Sequence, residues 1–100
     1  MRLSKEYKKV IKTTLLKNFG KGSKFYLFGS RADDSKRGGD IDLYIETGFA
    51  ETDKAIDAKW KTHRELMKQL GEHKIDIIVH GEGEEFTPIE EIAKETGVRL

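Results

Sequence analysis

The stretch KFYLFGSRADDSKRGGDIDLYIE, residues 24–46, holds two strand-like segments joined by a polar, glycine-ended link. KFYLF, residues 24–28, is a short apolar run rich in aromatics. DIDLYIE, residues 40–46, alternates strictly, with Asp40, Asp42, Tyr44 and Glu46 on one face and Ile41, Leu43 and Ile45 on the other. That is the two-residue period of a strand. The link between the two runs is about ten residues, at the lower limit for the crossover that parallel strands need. A mixed sheet is therefore expected. The alternation also sets a problem, because neighbouring carboxylates repel and an ionised carboxylate out of water is costly unless something compensates it.

Outward from this stretch the chain reads as alternating helices and strands. Residues 4–19 are a predicted helix with Ser4 as N-cap, Tyr7, Val10, Ile11, Thr14 and Leu15 at helical spacing, and Gly20 and Gly22 as its stop. The link at 31–39 has room for one helical turn at most. Residues 52–70 return to a helical period through Ile56, Trp60, His63, Met67 and Leu70, which places Trp60 in the core and His63 at its edge. KIDIIVH, residues 74–80, is a third strand, flanked by His73 and His80, with Asp76 on the face that Ile75, Ile77 and Val79 avoid. Thr87-Pro88-Ile89-Glu90 is a capping box with proline at the first helical position, opening a last helix to about Thr96. The expected fold is α/β (α+β), a small mixed sheet of about three strands flanked by helices, as one domain over residues 1–100.

Composition narrows the function classes. With 36% hydrophobic and 37% charged residues, 100 residues support one modest core under a very polar surface. There is no cysteine, which excludes disulfides and thiolate chemistry. No signal-peptide pattern and no apolar run near the ~20 residues of a membrane span is visible. A cytoplasmic protein without membrane attachment is expected. The net charge of +1 conceals a basic head: residues 1–24 carry eight Lys/Arg against one Glu, the rest eleven against seventeen acids. A lysine-rich solvated helix face explains this, and nucleic-acid binding through the first helix is the alternative, weakened by the lack of aromatics among the basic residues.

Parity points to the chemistry. If the strands carrying Asp40, Asp42 and Asp76 are neighbours, three carboxylates converge. Carboxylate oxygens are the hard ligands that Mg²⁺ prefers, and two such ions about 3.5–4 Å apart would neutralise the cluster and clamp a phosphoryl-type displacement. Gly29 allows close backbone approach, and Ser30 adds a hydroxyl and free N–H groups suited to phosphate.

The order of strand, Gly-Ser, short spacer, Asp-x-Asp strand and third-strand Asp resembles the nucleotidyltransferase superfamily of DNA polymerase β. Within it, the chain is most similar to the minimal nucleotidyltransferases (MNT), including MntA-type antitoxins paired with HEPN-domain HepT toxins. The resemblance implies that Gly29, Ser30 and Arg31 bind a nucleoside triphosphate, ATP or another NTP. It further implies that Asp40, Asp42 and Asp76 hold Mg²⁺, with Asp76 as base on the attacking hydroxyl. Asp33 and Asp34 depart from the small or basic residues that often follow Gly-Ser-Arg in the family. The implied activity is transfer of NMP, AMP from ATP, to a hydroxyl acceptor. A tyrosine of a partner HEPN toxin is the implied acceptor, which makes the protein an antitoxin. The alternative is a non-catalytic module that neutralises a toxin by covering it.

Overall fold

A computed structural model describes residues 5–29, 41–48, 52–71, 74–81, 83 and 85–100. The elements follow in the order α1 (Lys5–Phe19), β1 (Lys24–Phe28), β2 (Ile41–Glu46), α2 (Thr52–Leu70), β3 (Ile75–His80), α3 (Pro88–Thr96) and β4 (Val98–Arg99). Four strands form one sheet in the order β3-β2-β1-β4. β2 pairs antiparallel with β1 and parallel with β3, and β4 lies antiparallel on the far side of β1. The link from β1 to β2 thus joins antiparallel neighbours, the arrangement that its short length favours. Only the two-residue β4 was not foreseen, because a pair of residues carries no periodicity.

One face of the sheet is the core. Phe25 and Leu27 of β1, Ile41, Leu43 and Ile45 of β2, and Ile75 and Ile77 of β3 bury there against Ile11, Leu15 and Phe19 of α1 and Leu66 and Leu70 of α2. Each such side chain contributes roughly 1.5–3 kcal/mol of burial. In α1 the apolar residues recur at helical spacing as expected, and the helix stops at Gly20, whose N–H donates to Leu16 O at 2.9 Å. Ser4 lies outside the described residues.

α2 has the expected bounds but faces differently. Its buried side chains are Ala55, Ala58, Thr62, Leu66 and Leu70, whereas Ile56, Trp60 and Met67 are 46, 51 and 40% exposed. The expectation that Trp60 belongs to the core is corrected. Small alanines let α2 lie close on the sheet, and buried Thr62 is satisfied by Asn18 Nδ2 at 2.9 Å. The most apolar row, roughly a third of a turn away, is left outside. Lys17 of α1 reaches Glu65 at 2.9 Å across the two helices, and that hydrogen bond holds the Glu65 carboxyl below the usual range.

The opposite face carries three rows across β1, β2 and β3: Phe28–Asp42–Asp76, Tyr26–Tyr44–Ile78 and Lys24–Glu46–His80. α3 packs over the second row and over Glu46 and His80 of the third, whereas Lys24 is exposed. Its Lys94 reaches Glu46 at 3.1 Å, and its Glu90 Oε1 lies 3.3 Å from His80 Nδ1. The capping box forms as predicted, with Thr87 Oγ1 accepting from Glu90 N–H at 3.3 Å and Glu90 Oε1 accepting from Thr87 N–H at 2.8 Å. Among the described residues, no helix is long and apolar enough to cross a membrane.

Candidate functional site

The row that α3 leaves uncovered carries the acids. Asp42 and Asp76 are direct partners on parallel strands, so their side chains leave the same face about 4.8 Å apart at the backbone. Exposure changes sharply along this face: Tyr44 is fully buried, whereas the Asp76 side chain is 52% exposed. Tyr44 O–H donates to Glu46 Oε2 at 3.1 Å. Burial first, and then this hydrogen bond, hold the Tyr44 hydroxyl far above the ordinary tyrosine range. Glu46 is engaged by Tyr44 and Lys94, so it belongs to the packing under α3 and not to the acidic row.

Gly29 follows β1 directly, with φ +72°. A Cβ built there would run into the Asp42 carboxylate. Both the left-handed backbone and the lack of a side chain are therefore used at this position. Lys74 Nζ stands 4.0 Å from Asp76 on the exposed side, too loose a pair to neutralise it.

A cleft of about 460 Å³ opens beside the acids and extends over the β3 edge to α2 and α3. Phe28, Asp42, Asp76, Trp60, His63 and Ile89 are among its walls. Trp60 and His63 meet edge-on at 5.9 Å between ring centroids, and Lys59 Nζ lies 5.6 Å from the Trp60 ring. Sequence reasoning missed this role for Trp60. Periodicity alone offered no signal for it, since it does not show which row of a helix meets the sheet.

Of the expected site residues, the structure brings together Gly29, Asp42 and Asp76. Ser30, Arg31 and Asp40 lie outside the described residues, as do Asp33, Asp34 and His73. His80 is not near the acids but stacked on Phe86 at 4.0 Å. Among the described residues, no three His, Cys, Asp or Glu side chains gather as a metal-holding group. The donor set present, two carboxylates in register on the wall of the cleft, is nonetheless of the hard-oxygen kind that suits Mg²⁺.

A family model described as a nucleotidyltransferase domain matches residues 8–99. The chain belongs to this family. The match runs from α1 to β4 and so contains the acidic row, Gly29 and the cleft. As a nucleotidyltransferase domain, the chain is a transferase of nucleotidyl groups with an NTP as substrate. No curated protein matches it.

Proposed function

We propose that this nucleotidyltransferase moves AMP from ATP to a hydroxyl of a partner protein, a tyrosine of a HEPN-domain toxin, and so acts as an antitoxin. The observation that supports it is the pairing of Asp42 with Asp76 across parallel strands, with Gly29 pressed against Asp42. In this reading Asp40, Asp42 and Asp76 hold Mg²⁺, two ions, which when bound supply charge neutralisation for the triphosphate. Gly29 lets the backbone come close to the phosphates, while Ser30 and Arg31 donate to their oxygens.

The acceptor hydroxyl approaches from the open side of the row, where Asp76 is exposed. Its oxygen forms a bond to the α-phosphorus, the bond to the pyrophosphate oxygen breaks, and Asp76 receives the hydroxyl proton. Orientation of the acceptor comes from the partner, and orientation is worth several orders of magnitude in rate.

Intact-mass spectrometry of the chain with ATP, Mg²⁺ and a HEPN-domain partner tests this. The expected result is a mass gain of one AMP, or a multiple of it, on the partner. Asp42→Asn and Asp76→Asn should lower the rate by at least two orders of magnitude while the fold is kept, consistent with loss of a group that acts on the transition state. A partner neutralised without mass change, and equally well by Asp42→Asn, would replace catalysis with simple covering.

A further inference from the structure

α2 turns three large apolar side chains, Ile56, Trp60 and Met67, to solvent in one row. A charged row runs beside it. Asp53, Asp57, Arg64 and Lys68 are all exposed and recur at spacings that bring side chains to one side of a helix. By helical geometry the two rows lie roughly a quarter of a turn apart and together form the outermost face of α2. None of these four charges joins an ion pair among the described residues.

Apart from exposed Lys61 at its midpoint, the charged row is polarised and symmetric. Its carboxylates sit in the first half of α2 and its cations in the second. Positions 53 and 68, and likewise 57 and 64, are equally distant from the Trp60–Lys61 peptide. Such a row is complementary to itself when reversed. We propose that this face docks a second copy of the chain, with the two α2 helices antiparallel about a two-fold axis at Trp60. Asp57 of each copy then faces Arg64 of the other, Asp53 faces Lys68, and the apolar row is covered along the seam. An isologous contact needs this self-complementarity, and a foreign partner does not. One helix pair buries less than the about 800 Å² per partner of a standard interface, so the dimer forms reversibly as concentration rises.

Sedimentation velocity of the full chain over a rising concentration series reads the association. The emission of Trp60, the one tryptophan, reads burial at the axis. The expected result is a monomer–dimer transition with emission moving to shorter wavelength. Asp57→Arg alone and Arg64→Asp alone should each be monomeric, since each sets like charges together at both symmetric contacts. An equimolar mixture of the two should regain a dimer, because every contact in the mixed pair joins opposite charges. Circular dichroism establishes that both variants are folded. A parent chain that stays monomeric throughout overturns the proposal and leaves the row to a different protein. Single variants that dimerise like the parent, or a mixture that does not, overturn it as well.

Discussion

At Gly29 the backbone leaves β1 in the left-handed region and passes so close to Asp42 that any Cβ would strike its carboxylate. Gly20 has a similar φ of +88°, but a Cβ there meets nothing within 4 Å. The two positions separate backbone strain from collision. Gly20→Ala should cost about 1–2 kcal/mol for the backbone alone. Gly29→Ala carries the same strain plus displacement of Asp42, so its thermal midpoint should fall further. Nucleotidyl transfer by Gly29→Ala, assayed where the variant is still folded, should drop at least tenfold, and by Gly20→Ala hardly at all. A Gly29→Ala protein as active as the parent would show that the position of Asp42 does not matter to the reaction.

Among the elements, α3 is the one whose local chemistry is most complete, because Thr87 and Glu90 satisfy each other's backbone N–H groups. Thr87→Ala should lower stability by about 1 kcal/mol, read by urea unfolding with the m-value unchanged. An effect near zero would mean that His80 and Phe86, not the cap, hold the helix start. The same box was legible in four consecutive residues, as were the strict alternation of β2 and the stop at Gly20. The bounds of α2 were legible too, but its orientation was not. Periodicity shows that a helix has an apolar row and does not show which row meets the sheet, and here alanines won through close approach. The acidic row was half legible. Parity put Asp42 and Asp76 each on a polar face, but only pairing of β2 with β3 makes those faces one. Trp60 in the cleft was hidden for the same reason as the orientation of α2.

For the molecule as a whole, Tyr44 sets an alkaline limit. In an unfolded chain its hydroxyl ionises near pH 10. In the folded protein, burial and Glu46 keep it protonated well above that. Above about pH 10 the folded state therefore holds a proton that the unfolded state has lost, and stability declines with each further rise in pH. Below that pH this contribution is fully present. Urea melts at stepped alkaline pH should show a steeper decline for the parent than for Tyr44→Phe, and matching slopes would assign the loss to other groups. The row register described for β2 and β3 carries a consequence for insertions and deletions. Deleting Ile77 would put Asp76 out of phase with the residues after it, so that either the carboxylate turns toward the core side and leaves Asp42 without its neighbour or Ile78–His80 change faces, because strand faces alternate. Extra residues in a connection cost far less, since closure entropy grows slowly with length. Connections away from the site should thus tolerate a change of length that β2 and β3 do not.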